Sequence, residues 1–537
     1  MPTSYISFPE TNYFSKLICD YLDEKQELKA FYNRFPHLEN FDDQIKEKKA
    51  SFVHENRKVL KNVLQSQYKE IELSDQTADN ITALEDSNTF TVVTGHQLNL
   101  FTGPLYFLYK IVSTVNLCKQ LTKQYPGNSF VPVYWMASED HDFEEINFFN
   151  FNGKKFQWQG PGTIEQGGAV GAYPTQGLDS VLELFASELG KGIQAQVLVD
   201  LFRKAYIEHD NLTDATRYLV NELFSDQGLV ILDASDLELK RLFIPQMRQE
   251  LFEPTSQTTV EKTISELNQV DPSYKIQVNP RAINLFYLDK GSRERIVETE
   301  TGYGVNNTNI NWSHQELEEH LNNFPDRFSP NVMTRPLYQE VILPNLCYIG
   351  GGGELAYWLE LKGFFNAQKV PFPMLLLRNS ALIISQKQSD KLEKLNISTK
   401  QLFLDKNSFI NSKIREISNI DIDFSAQKKF LEAQFEGMYK IAEQTDKTFL
   451  GAVKAQQVKQ LKGLDYLEKR LLKAQKKKLS DQVSRLVDLQ NELFPNGSLQ
   501  ERSDNFANIY VHYGPQFIQQ LLDELDPLRS EFAVIRI

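Results

Sequence analysis

The sequence predicts an α/β protein: a parallel-sheet core with helical insertions, extended by an α-helical coiled-coil arm. Three observations carry that expectation. Two passages read strand, glycine turn, helix, strand, one beginning at Thr89 and one at Leu346, and each is the pattern of a βαβ unit. A third stretch, about Ser385 to Leu493, is rich in Lys, Gln, Glu and Leu and almost free of proline. The 537 residues, 41% apolar and 12% aromatic, can fill a large core. At roughly 150 residues per domain they suggest about three structural units. With 58 basic against 71 acidic residues the net charge is −13, which excludes a nucleic-acid binder relying on a broad basic face.

The elements follow in order. Up to about Leu73, helical periodicity mixed with charge predicts helices packed on something larger. Thr89–Thr94 (TFTVVT) is short and β-branched, as a buried strand should be. The turn from Gly95 to Pro104 leads to a helix over Tyr106–Gln124, and Val131–Ala137 is the next strand. Phe148–Trp158 predicts a hairpin turning at Asn152-Gly153. Residues 161–274 predict a helical insertion interrupted by the strand LVILD, with strands again at Tyr274–Val278 and Ile283–Leu288. Leu346–Ile349, the glycines 350–353, a helix over Leu355–Gln368 and the strand Phe372–Leu377 complete the second passage.

In the arm, Phe424, Leu431 and Met438, then Leu464, Leu467, Leu471 and Ala474, recur at heptad-like spacing. The register slips and resumes at Leu479, Val483, Leu486 and Leu493, a slip that relaxes a supercoil without ending the helix. The expected organisation is therefore a core over 1–384, two long antiparallel helices over 385–495, and a segment 496–537 folding back on the core. Cys19, Cys118 and Cys347 are scattered and odd in number, so no disulfide framework is expected and a reducing cytoplasm fits. The opening MPTSYISFPETNYF has no signal-peptide pattern, and no apolar run approaches the roughly 18 residues of a membrane span.

Ligands of open parallel sheets sit outside the carboxyl ends of the strands. Gly95, His96 and Gln97 fall at one such end, where an imidazole and a carboxamide suit an anion or a developing negative charge. The same residues would also serve as a plain turn beside a helix-capping histidine. Glu139, Asp140, His141 and Asp142 follow the adjoining strand and are expected beside them. So many carboxylates round one imidazole call for a cation: a substrate ammonium, a lysine such as Lys110, or a metal. His141 between two aspartates could be oriented as a general base. A metal-dependent hydrolase using His96, Asp140, His141 and Asp142 is one alternative, though no HExxH-like spacing supports it. A dimeric scaffold without catalysis is another, and a solvated acidic loop is the bland reading of the quartet. Gly350, Gly351, Gly352 and Gly353 expose backbone N–H groups to a ligand, with Glu354 opening the helix. Among the arginines (281, 293, 295, 335 and 378) that could fork a carboxylate, Arg335, with Asn331, stands closest before the glycines.

Together TGHQLNLFTGPLYFLYK, VPVYWMASEDHDFEEIN, SPNVMTRPLYQEVILPNLCYIGGGGELAYW and LFPNGSLQER resemble the bacillithiol-biosynthesis family that adds cysteine to glucosaminyl-malate. The resemblance spans nearly the whole chain. It implies a Rossmann-like core, a ligase forming an amide between the cysteine carboxyl and the sugar amine in the last step of that synthesis, and a homodimer formed through the coiled-coil arm. ATP or ADP is implied as the activating nucleotide, with Mg²⁺ only as its companion. By the same resemblance His96 stabilises charge during transfer, and Asp140, His141 and Asp142 hold an amino group or act as base. The glycines and Glu354 form the opposite wall, and an arginine grips the malate carboxylates. A regulatory nucleotide near Gln500 is a further expectation. No nucleic acid or membrane partner is implied.

Overall fold

Strand β1 (Thr89–His96) is buried along its whole length, as its β-branched sequence requires. In the computed structural model it is the central strand of a five-stranded parallel sheet with β2 (Ser129–Met136), β3 (Val230–Asp233), β4 (Asn345–Gly350) and β5 (Met374–Leu377), in the spatial order β5-β4-β1-β2-β3. The structure describes residues 3–161, 167–445 and 447–537, so 162–166 of the expected insertion and 446 of the expected arm lie outside the described residues. β1 runs two residues further than the sequence pattern suggested. Gly95 and His96 are still in the ladder, in register with Trp135 and Met136 of β2. Helix α1 occupies Tyr106–Gln124 and packs its apolar side on β1 and β2.

The insertion contributes β3 to the sheet edge and the helices Leu178–Leu189, Ile193–Tyr206, Leu212–Phe224, α2 (Leu237–Phe252) and Thr255–Val270. The hairpin Phe148–Phe151/Lys154–Gln157 turns at Asn152-Gly153, both in the left-handed region. Three expectations need correction. Tyr274–Val278 is not a strand, because two of its N–H groups are drawn to the Glu360 side chain (Gln277 at 2.8 Å, Val278 at 3.1 Å) instead of to a neighbouring strand. The strand predicted at Ile283–Leu288 is Leu285–Asp289, and it lies in a separate antiparallel sheet with Ser292–Thr299, Gly302–Val305, Asn311–Trp312 and Phe328–Pro330. The helix after the glycines is two helices, α4 (Gly352–Glu360) and Lys362–Gln368; α3 (Thr334–Ile342) precedes β4.

The chain divides into two compact units. The larger comprises residues 13–382 and 500–535 with the first residues of the chain; its N-terminal strand Ser4–Ser7 pairs antiparallel with Glu531–Arg536. The smaller, essentially 383–499, is helical and contains Lys406–Ile417, Ser425–Ala442, the 32-residue Lys447–Lys478 and Ser480–Leu493. Ser425–Ala442 and Lys447–Lys478 pack together through Leu431, Phe435, Tyr439, Ala442 and Val453. That seam is not the predicted 424/431/438 series: Phe424 precedes the helix and Met438 faces solvent. The register slip at Leu479 does end the helix, and a new one starts at Ser480. Among the described residues no helix is long and apolar enough to cross a membrane.

Candidate active site

Parallel strands in register end on the same side, so the segments after β1, β2 and β4 converge. They surround a cavity of about 1020 Å³. Gly95, His96 and Gln97 line it from β1, Glu139, Asp140 and His141 from the segment after β2, and Gly351, Gly352, Gly353 and Glu354 from the start of α4. Asn331 and Arg335 join them at the start of α3. The imidazole and the acidic segment thus share one chamber. Asp142 does not; it is exposed before the short helix Phe143–Ile146, because the chain turns away after His141. Gln500 also stays off the cavity wall, buried in the helix Gln500–Ser503, whose Arg502 is the residue that reaches in.

His96 is buried against the rings of Tyr106 and Phe107, with ring centroids at 5.4 and 5.1 Å. Its Nε2 meets no hydrogen-bond partner among the described residues. Burial first, then the charges of Lys110 and Arg378, push its pKa well below the ordinary value, so the ring is neutral. It therefore offers an uncharged polar contact rather than a positive charge. The two cations beside it also oppose a dication, and among the described residues no three His, Cys, Asp or Glu side chains are gathered as a metal cage. This donor set does not fit the metal-hydrolase alternative.

The acidic segment separates into different roles. Glu139 is tied down: Lys240 of α2, fully buried, pairs with it at 2.6 Å and Ser329 Oγ donates to it at 3.0 Å. Asp140 accepts from Gln97 Nε2 at 2.7 Å and from the His141 N–H at 2.8 Å. Partial burial works against its charge, but the hydrogen bonds from His141 and Gln97, with the charge of Arg293, hold its pKa at about 2. It is a permanent carboxylate, suited to an ammonium and ill suited to taking a proton. His141 has Asp140 beside it but not Asp142, and Arg293 is its nearer partner. Its Nδ1 lies 3.0 Å from Arg293 Nη1 and 3.5 Å from Asp140 Oδ1, so the ring is held between the two.

The opposite wall rests on another buried pair. Lys110, on the face of α1 toward the sheet, donates to the Gly95 carbonyl at 2.7 Å and pairs with Glu354 at 2.6 Å. Lys110 therefore does not neutralise the acidic quartet; that place belongs to Lys240. Glu354 also accepts from the Tyr348 hydroxyl (2.6 Å) and the Gly351 N–H (3.1 Å). Burial opposes its ionisation, yet Lys110 and these donors keep its pKa below the ordinary value. Its oxygens are thus already committed, and Glu354 shapes the wall. Asn331 is likewise occupied, accepting from the Met333 and Thr334 N–H groups. Arg335 packs near Trp135 and Tyr348 and donates to Gln339 at 3.1 Å and the Tyr357 hydroxyl at 3.4 Å. Arg378 is held by Glu501 at 2.7 Å, and its buried Nε has no hydrogen-bond partner among the described residues.

Lys240, Glu501 and Arg502 escaped the sequence reading. Lys240 left a signal, since it stands on the buried side of α2 with Phe243 and Met247 (i+3 and i+7), where a lysine demands a buried partner.

Comparison with known proteins agrees with this architecture. Residues 1–379 match the family model "Bacillithiol biosynthesis BshC, N-terminal Rossmann-like domain", and residues 381–537 match "Bacillithiol biosynthesis BshC, C-terminal coiled-coil domain". Relatives bearing the name "Putative cysteine ligase BshC" occur in Christiangramia forsetii (60% identity, 100% of this chain and 99% of theirs) and Flavobacterium johnsoniae (55%, 100% of both). The one in Cytophaga hutchinsonii is 36% identical over 97% of this chain and 96% of its own. With both of its parts matched in order, and relatives alike from end to end, the chain belongs to the bacillithiol biosynthesis BshC family.

Proposed function

We propose that this chain is a cysteine ligase that joins the carboxyl of L-cysteine to the amine of glucosaminyl-malate, completing bacillithiol. The observation that carries the reading is the charge of the cavity. Seven cations line it (Lys110, Arg281, Arg293, Arg295, Arg335, Arg378 and Arg502) against four carboxylates (Glu139, Asp140, Glu145 and Glu354), in a chain whose net charge is −13. Such a lining suits reactants that are themselves anionic: a carboxylate to be activated, a malate, and the phosphates of a nucleotide. Asp140 adds the complementary feature, a fixed negative charge for an ammonium.

An amide forms when the amine nitrogen attacks the activated acyl carbon, the carbon–oxygen bond to the leaving group breaks, and the amine loses a proton. ATP with Mg²⁺ would supply the carboxyl activation. Arg378 and Arg502, with the backbone of 352–353, would hold the phosphates, and the buried cations favour that group where they disfavour a lone metal. In this chain Asp140 orients an amino group, with Gln97 fixing the carboxylate. His96 contributes a neutral hydrogen bond in a dry corner, where such contacts count most. The helical unit is proposed to pair with a second copy, and the scattered thiols suit a cytoplasmic enzyme.

The test is reconstitution. Purified protein given L-cysteine, glucosaminyl-malate and ATP should yield bacillithiol by mass spectrometry, with matching nucleotide consumption. A folded, monodisperse protein that makes none would overturn the proposal.

A further inference from the structure

Of the seven cations lining the cavity, four have side-chain partners. Lys110 is paired with Glu354 and Arg378 with Glu501; Arg335 donates to Gln339 and Tyr357; Arg293 reaches Ser329 Oγ (3.1 Å), the Pro330 carbonyl (3.0 Å) and His141. Arg502, also without a hydrogen bond or ion pair among the described residues, shares the Tyr106 ring with Arg378 (6.0 and 5.0 Å), on the side assigned to phosphate. Arg281 and Arg295 share no ring with Arg378. Both guanidinium groups are exposed at the cavity and make no hydrogen bond or ion pair among the described residues.

Their backbones, by contrast, are fixed. Residues 277–284 form no regular structure and carry one charged side chain, Arg281. Buried Glu360 holds the start of this strap through the Gln277 and Val278 N–H groups (2.8 and 3.1 Å), and buried Glu250 holds its end through the Asn284 N–H (2.7 Å). The Asn284 carboxamide brackets Arg281 itself, donating to its carbonyl at 2.7 Å and accepting its N–H at 3.3 Å. Burying two carboxyl groups to hold an irregular strap is costly, and burial raises both pKa values to about 7. Arg295 is fixed by the sheet. It pairs in register with Phe286 and lies 5.9 Å from that ring, with Arg293 two residues away on the same ring at 4.0 Å. Rigid backbones carrying unpaired planar forks are preorganised for a ligand with more than one carboxylate. Phosphate has better provision elsewhere in the cavity, where Arg378 Nε is buried without a hydrogen-bond partner beside Gly351 and His96 Nε2 is likewise unpartnered.

We propose that Arg281 and Arg295 are specificity-determining residues that grip the carboxylates of a dicarboxylate-bearing substrate, the malyl group in the ligase reading on which this inference rests. Two measurements on the full chain test it. In calorimetry the wild type should bind L-malate, and Arg281→Ala and Arg295→Ala should each weaken that binding about 10-fold or more, with ATP binding and Tm unchanged. In the coupled assay each variant should raise KM for glucosaminyl-malate by about the same factor, with kcat within about twofold. A methyl glucosaminide lacking malate should be used equally by wild type and variants. Unchanged malate binding in both variants, or a loss of ATP binding in place of malate binding, would overturn the assignment. Malate binding lost in the variants without any amide product from the wild type would leave the site standing and remove the ligase reading.

Discussion

Glu139 and Asp140 are adjacent carboxylates with opposite availability. Lys240 and Ser329 occupy the first, whereas the second keeps a permanent charge facing the cavity. Asp140→Asn should therefore lower kcat/KM by about 100-fold or more; it should also lower Tm at neutral pH, where the depressed pKa makes the carboxylate stabilising, and leave Tm nearly unchanged near pH 2. Steady-state kinetics beside thermal unfolding would check this; an active Asp140→Asn enzyme would remove the residue from the mechanism. Glu250 supports a second prediction. Burial raises its pKa from 4.5 to about 7. The folded state therefore binds the proton more tightly than the unfolded one, and stability is fully present below about pH 4.5 and lost as pH rises toward 7. For one group that loss is about 3 kcal/mol. Both donors, Ser256 and Asn284, meet Oε1, while Oε2 is buried without a hydrogen-bond partner, so an amide can replace the acid. Glu250→Gln should raise Tm near pH 8 and flatten its decline between pH 5 and 8; a variant less stable at pH 8 would contradict this account. At this scale the sequence showed which residues meet but not which are already spent. The committed partners, Lys240 for Glu139 and Arg293 for His141, come from about 100 and 152 positions away.

The glycine run shows how one element hides several requirements. None of Gly350 to Gly353 needs the left-handed region. A methyl on Gly350 would come within 2.9 Å of both Leu355 and Tyr348, whereas one on Gly353 would meet nothing within 4 Å. Gly350→Ala should cost about 1–3 kcal/mol by overpacking. Gly353→Ala, in the first turn of α4, should leave stability equal or higher by up to about 1 kcal/mol. Since Gly353 faces the cavity, its added methyl should nonetheless weaken nucleotide binding, read by titration calorimetry. Unaltered binding in Gly353→Ala would reduce this wall to packing. Elements whose pattern is local were legible: α1 has the bounds its apolar period predicted, and the Asn152-Gly153 turn is where the hairpin reverses. Elements set by distant partners were not. The segment 274–278 alternates like a strand, but Glu360 claims its N–H groups. The arm's seam was misjudged because its helices are apolar on more than one side, and spacing alone cannot say which side meets the neighbouring helix.

That surplus of apolar surface belongs to the whole molecule. In the larger unit the exposed large apolar side chains, such as Val53, Ile193 and Phe324, are scattered over separate elements around a buried core. In the helical unit they gather on two long helices. Phe430 and Ile441, spaced so as to share one face of Ser425–Ala442, are 69% and 60% exposed, and Tyr466 and Leu467 on Lys447–Lys478 are 60% and 53% exposed. Monomeric proteins seldom leave large apolar side chains in such a series, and a two-fold pairing of identical arms would cover them by presenting the same face twice. If a second copy is the occupant, light scattering at micromolar concentration should give twice the 62.0 kDa chain mass. Phe430→Glu combined with Ile441→Glu should halve it, because paired carboxylates at a self-complementary seam both repel each other and lose hydration. Neither side chain belongs to the local core of Phe435, Ala442 and Val453, so far-ultraviolet circular dichroism of the double variant should keep its helical signal. A wild-type protein that scatters as a monomer would leave the exposed stripe for some other partner. A double variant that stays dimeric with its helices intact would place the two-fold contact on a different face of the chain.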